Sequence, residues 1–331
     1  MTIITFSDHS LETSWQTQLQ NAVRDPAQLS DVLGIEVEDI DTGFPLLVPR
    51  SYLARIKPGD PDDPLLRQVL PTGAELLRQP GYSEDPVSEQ SMNGPKGLIQ
   101  KYRGRALIVT TGSCAVNCRY CFRRHYPYDS QRLSRDGWQS LYEHIRNDSS
   151  IQEVILSGGD PLMLNDRTLA SVTQELEAIP HLTTIRFHTR LPVVIPDRIC
   201  DTLLEWVEAC NKQLVFVTHI NHPNEIDESL NDVLRLLKAS GSTLLNQSVL
   251  LKNVNDDAET LSRLSRKLFN ASVLPYYLHL LDPVQGAGHF DVDEKAGKHL
   301  IRELSSELPG YLVPKLAREV PHAPAKQVLI G

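Results

Sequence analysis

The sequence predicts an α/β protein whose centre is an open six-unit (βα)6 partial TIM barrel, with an N-terminal helical cap and a short C-terminal extension. Three observations lead there. Short β-rich runs recur about every 30 residues after the first gap, which is the length of one βα unit. An amphipathic helical pattern fills the space between successive runs. The repeating region covers roughly 175 residues, whereas a closed barrel of eight units needs about 250. Crossovers between parallel strands are right-handed in nearly all proteins, so six units make a curved parallel sheet with a lateral mouth.

The elements follow in chain order. Residues 1–100 are rich in Pro, Asp and Gly, as in PGDPDDPLL and QPGYSEDPVSEQ, between short apolar pieces, and read as an accessory cap. The barrel core spans residues 101–290. Its expected strands begin at Ala106 (ALIVTT), Glu153 (EVILSGG), Thr184 (TIRFHT), Leu214 (LVFVTHI), Thr243 (TLLNQSVL) and Leu274 (LPYYLHL). Most are rich in β-branched or aromatic residues that suit a pleated, buried surface. Helices are expected over residues 167–179, 198–210 and 230–240. Residues 291–331 form the extension, with a helix over 291–308 and a Pro-rich tail.

Composition narrows the function classes. The chain has 331 residues, 40% hydrophobic and 23% charged, which is a globular balance with neither disorder nor a collagen repeat. A formal net charge of −9 argues against a nucleic-acid-binding surface spread over the protein and favours a small-molecule partner. No stretch approaches the ~18 apolar residues of a membrane span, and the first twenty residues lack a basic flank followed by an apolar run. Five cysteines, an odd number with three crowded together, point to a reducing, cytoplasmic setting and a thiolate site, not to a disulfide framework.

The crowded cysteines carry the chemistry. Ser113 to Arg124, SCAVNCRYCFRR, places Cys114, Cys118 and Cys121 directly after the first expected strand. Active sites of such barrels sit on these βα loops. A structural zinc site usually closes with four Cys or His ligands, often as paired knuckles, and the chain has no second CxxC pair. Three thiolates without a fourth suit a 4Fe-4S cluster with one open iron. Cys200 and Cys210 fall on an expected helix and read as buried apolar residues. The second strand ends in Ser157-Gly158-Gly159-Asp160, where two glycines let backbone approach a ligand closely.

CxxxCxxC on the first βα loop of such a barrel resembles the radical S-adenosylmethionine superfamily, in which a GGD-like segment meets the amino end of S-adenosylmethionine. Further segments, KYRGR from Lys101, SGGDPL, HTRLPVV, VTHINHPNEI, LLNQSVLLKNVND and PYYLHLLDPVQGAGHF, resemble lysine 2,3-aminomutases, which also carry pyridoxal phosphate. The chain is more similar to the short-chain branch that modifies elongation factor P, because it stops five residues beyond Lys326. The resemblance implies that Lys326 attaches pyridoxal phosphate and that Tyr102 and Arg105 contact it. It also implies that His219 and Gln247 line the two cofactor sites. Arg123 would bind the substrate carboxylate, and Asp282 and Glu319 the distal ammonium of lysine. Two departures stand out: Pro321-His322-Ala323-Pro324-Ala325 replaces a Gly-rich stretch before Lys326, and Glu319 stands where the degradative enzymes have aspartate.

The implied reaction is conversion of lysine to β-lysine, driven by a 5′-deoxyadenosyl radical from S-adenosylmethionine after an external electron donor reduces the cluster. A functional link to elongation factor P and its ligase follows from the same resemblance. Two rivals are an aminomutase for another amino acid, such as glutamate, and a non-catalytic cluster scaffold or redox sensor. The first would need a cation where Asp282 and Glu319 offer carboxylates.

Overall fold

The computed structural model describes residues 14–90 and 94–330. Residues 1–13, the first part of the stretch read for a leader, lie outside it. Nine strands of the described residues form one sheet in strict chain order: β1 (Leu98–Ile99), β2 (Arg105–Thr111), β3 (Glu153–Gly158), β4 (Thr184–Thr189), β5 (Gln213–Thr218), β6 (Thr243–Val249), β7 (Leu274–His279), β8 (Lys315–Arg318) and β9 (Gln327–Val328). The pairs from β2 to β8 are all parallel, while β1 and β9 pair antiparallel at the two edges. The sheet is therefore an open partial barrel, with its end strands covered by short antiparallel partners that blunt exposed edges.

All six expected strands are present, but the parallel set has a seventh member. Lys315–Arg318 pairs with β7 and buries only Leu316 and Ala317 between two basic residues. Four residues of that composition carry no β signal of their own. Their pairing is imposed by β7 and by the preceding helix Glu294–Glu307, whose Leu300 and Leu304 pack with Leu278 and Leu316. Inner strands such as β3 bury Val154, Ile155 and Leu156 in succession, as expected where helices and interior cover both faces.

The connecting helices are Arg135–Asn147, Asp166–Glu177, Asp201–Ala209, Glu228–Ala239 and Ala258–Asn270. Each of four has a side chain that accepts a first-turn N–H: Ser134, Asn165, Asp227 and Asp257. Helix Ala258–Asn270 turns Leu261, Leu264 and Leu268 inward, the spacing of one helical stripe. Cys200 and Cys210 flank helix Asp201–Ala209 as its cap residues and do not sit on it, and both are only partly buried. The reading of them as buried helix residues is corrected accordingly; both still pack against the main core.

The described part of the N-terminal region shares the barrel's core. Trp15, Leu29, Tyr52 and Leu65 belong to the same apolar cluster as barrel residues Ile108, Leu156, Phe187 and Phe216. No helix of the described residues is long and apolar enough to cross a membrane.

Candidate active site

The loops at the C-terminal ends of the parallel strands surround a cavity of about 480 Å3, and every site residue expected from the sequence lines it. The cysteine loop is fastened by the N-terminal region. Arg119, fully buried, donates to both carboxylate oxygens of Glu75 at 2.8 and 2.6 Å, to the carbonyl of Phe44 and to the hydroxyl of Thr42. Arg124 reaches the same Glu75 at 2.7 Å. Backbone bonds from Asn117 to Leu47 and from Arg119 to Gln68 complete the clamp. The polar, Pro-rich region read as an accessory cap is thus what holds the three cysteines in place.

Burial, then the charge of neighbouring thiols, pushes the Cys114 thiol well up and the Cys121 thiol to about 11. Bound iron supplies the charge that would let them ionise. No three His, Cys, Asp or Glu side chains among the described residues converge closely enough for a single metal ion. Three thiols on one loop, all facing one cavity, suit a 4Fe-4S cluster with one open iron. Arg190 donates to Cys118 Sγ at 2.9 Å and is buried against Glu225, Gln68 and the Tyr120 hydroxyl.

Gly158 and Gly159 are required by a close approach of two loops. Gly158 has a φ of +127°, and a Cβ there would lie 2.5 Å from the Thr111 carbonyl; one on Gly159 would lie 2.3 Å from that of Ser113. The adjoining backbone N–H groups bond the same carbonyls: Gly159 donates to Thr111 and Asp160 to Ser113, at 2.7 and 2.8 Å. Asp160 also has a structural task. Its carboxylate accepts from the Thr189 hydroxyl and from the backbone N–H of Leu162, Arg190 and Leu191, so it ties β3 to β4. Ser157, Gly158, Gly159 and Asp160 all line the cavity.

Gln247 Nε2 donates to His219 Nε2 at 2.9 Å. Burial, aided by Arg190, Arg123 and Lys326, pushes His219 down to about 3, so the ring is a neutral acceptor. His188 and His279 are held neutral in the same way, by burial first. In the cavity wall, Nε2 of His188 and Nε of Arg186 are buried without a hydrogen-bond partner among the described residues.

Opposite charges meet at the far side. Lys326 Nζ lies 2.8 Å from Glu319 Oε2 and 5.9 Å from the centre of the Tyr277 ring. The Tyr102 hydroxyl donates to Glu319, and the Arg105 guanidinium lies over the Tyr102 ring at 5.0 Å. Burial would raise Glu319, but Lys326 and Tyr102 hold it below the usual carboxylate range. Asp282 has no such close partner among the described residues: burial raises it to about 7, with Glu319 adding to the rise and Lys326 opposing it. One cavity therefore joins a thiol loop, a lysine amine, two carboxylates and several guanidinium groups.

Residues 108–264 match the model of the Radical SAM superfamily. The L-lysine 2,3-aminomutase of Escherichia coli (strain K12) is 48% identical over 99% of this chain and 97% of its own length. The chain belongs to the lysine 2,3-aminomutase family. Family members from Buchnera aphidicola and Clostridium subterminale, both named L-lysine 2,3-aminomutase, are 42% and 32% identical, over 92% and 75% of their own lengths. As a radical SAM enzyme of this family, the protein works with S-adenosylmethionine and a 4Fe-4S cluster.

Three charged residues of the cavity wall and the partner of one of them escaped the sequence reading: Glu89, Lys101, Arg190 and, paired with Arg190, Glu225. The last three lie inside KYRGR, HTRLPVV and NHPNEI, segments already singled out, and a charged residue within such a segment was the available signal. Glu89 offered none, lying in the Pro- and Asp-rich stretch before β1.

Proposed function

We propose that the protein converts L-lysine to β-lysine as a pyridoxal-phosphate-dependent 2,3-aminomutase in the cytoplasm, and that the product serves modification of elongation factor P by a ligase. The observation that carries this reading is the single cavity in which the cysteine loop, Lys326 and the Asp282–Glu319 pair all meet. A cation-reading pair of carboxylates opposite a buried guanidinium suits an amino acid with a basic side chain and speaks against glutamate. A scaffold or redox sensor has no use for a lysine amine and a carboxylate pair beside its cluster.

Cys114, Cys118 and Cys121 would hold the cluster, and Ser157, Gly158, Gly159 and Asp160 would border S-adenosylmethionine. Lys326, Tyr102 and Arg105 would hold pyridoxal phosphate, the guanidinium suiting its phosphate dianion. When bound, these groups and an external electron donor supply the hydrogen-abstracting radical and the π-system across which an amino group migrates. The protein's part is to bind, orient and shield. Arg123 takes the substrate carboxylate, and Asp282 and Glu319 take the distal ammonium, so the carbon between them is held at one place. Lys326, taken up by the cofactor, would give up its ion pair with Glu319 and leave that carboxylate, still held by Tyr102, to face the substrate ammonium. His219, neutral and fixed by Gln247, offers hydrogen bonding without a charge that would repel a cationic ligand.

The test is anaerobic incubation of reconstituted protein with L-lysine, S-adenosylmethionine and a reductant, followed by chiral analysis of the products. β-Lysine is expected. Reductive cleavage of S-adenosylmethionine with lysine returned unchanged would overturn the reading.

A further inference from the structure

Arg123 has most of its donors committed to the protein itself. Nε donates to Glu89 Oε2 at 2.7 Å, Nη2 to Glu89 Oε1 at 2.9 Å, and Nη1 to Ser157 Oγ at 3.1 Å. Glu89 is only 6% exposed and comes from the N-terminal region. It also lies 3.1 Å from Lys101 Nζ, which is in turn 3.5 Å from Glu319. Charges thus alternate along the cavity wall from Arg123 through Glu89, Lys101 and Glu319 to Lys326. Neither Glu89 nor Lys101 has a part in the reaction described above.

A buried ion pair is rarely the most stable filling for its volume, since apolar residues of similar size often do as well or better. Its geometric effect here is specific. A carboxylate on the Nε–Nη2 edge fixes the plane of the guanidinium, because that edge matches two oxygens at once. One Nη2 hydrogen is then unspent, and one of the Nη1 pair is only loosely held, by the Gly158 carbonyl at 3.4 Å. These are the donors a second carboxylate can take. Without Glu89, the buried guanidinium would turn its free edge to whichever acceptor lay nearest, the Gly158 carbonyl included.

We propose that Glu89 is a positioning residue for the substrate carboxylate: it aims Arg123. The proposal rests on the reading of Arg123 as the carboxylate-binding group. A pair of ligands separates the two. L-Lysine and 1,5-diaminopentane share the chain and both amino groups, and differ in the carboxylate alone.

The experiment uses protein loaded with pyridoxal phosphate, titrated with each ligand while the cofactor absorbance is followed. Glu89→Gln should weaken L-lysine by about tenfold to a hundredfold and leave 1,5-diaminopentane within about threefold, as loss of a charge-assisted contact to one group predicts. Glu89→Asp, which keeps the buried charge but shortens its reach, should fall between parent and Glu89→Gln for lysine alone, and it carries the test if the amide variant does not fold. Equal weakening of both ligands would make Glu89 merely structural and overturn the proposal, as would no weakening of either. Should the parent itself bind the two ligands equally, the Arg123 assignment fails first and the role of Glu89 falls with it.

Discussion

Replacing Asp282 by Asn should separate lysine recognition from every other property of the site. In the parent, burial raises this carboxyl to about 7, Glu319 and Glu89 add repulsion, and Lys326 and Lys101 offset part of it. Below that value Asp282 is a neutral acid and cannot pair with an ammonium; above it the carboxylate can. Lysine turnover efficiency should therefore rise as pH increases through about 7. Asn is neutral throughout, so the rise should disappear. A charge-assisted contact in a partly desolvated site contributes about 1.5–3 kcal/mol, which places the loss above neutral pH at roughly one to two orders of magnitude. Stability should move the other way. A carboxyl raised from the usual value near 4 to about 7 favours the folded state while protonated, and that advantage is lost as pH climbs between the two. The folded parent thus carries a cost of a few kcal/mol at most at pH 8, which Asn removes. The assay is kcat/KM for lysine from about pH 6 to about pH 9, with iron and pyridoxal phosphate contents matched, and a melting curve at about pH 8. An Asp282→Asn protein that turns over lysine within about threefold of the parent, or that keeps an inflection near pH 7, would refute the reasoning.

Cys118→Ala should lose its 4Fe-4S cluster, read as iron and sulfide content and as the signal of the reduced cluster, whereas Cys200→Ala and Cys210→Ala should keep it because those thiols lie outside the cavity. Lys326→Ala should retain iron but show no pyridoxyl adduct after borohydride reduction; an adduct on another lysine would mean that the C-terminal loop had been misassigned. Glu75→Gln should destabilise the fold by about 3–5 kcal/mol, since it strips a buried carboxylate from two buried guanidinium groups. Denaturant unfolding measures that loss, and an unchanged midpoint would show that the clamp on the cysteine loop is dispensable.

The sequence by itself determined the features whose cause is local. Three cysteines within eight residues announce their chemistry wherever the chain goes, and runs such as EVILSGG become strands because their side chains suit a buried pleat. The approximate helix limits and the glycines of SGGD belong here too, as does the family resemblance that named Lys326, Asp282 and Glu319. Tertiary structure decided what depends on residues far apart meeting. Lys315–Arg318 is a strand only because β7 offers an unpaired edge. The bonds that tie the Asp160 carboxylate to Thr189 and to the backbone after β4 leave no mark in the sequence, and Cys200 and Cys210 look helical although the helix begins after the one and ends before the other. Glu89 is the clearest case. Nothing around it marks it out, yet the fold brings it against Arg123, 34 residues away, and removes both from water. Burial converts an ordinary surface carboxylate into a fixed charge, and burial is a property of the assembled chain.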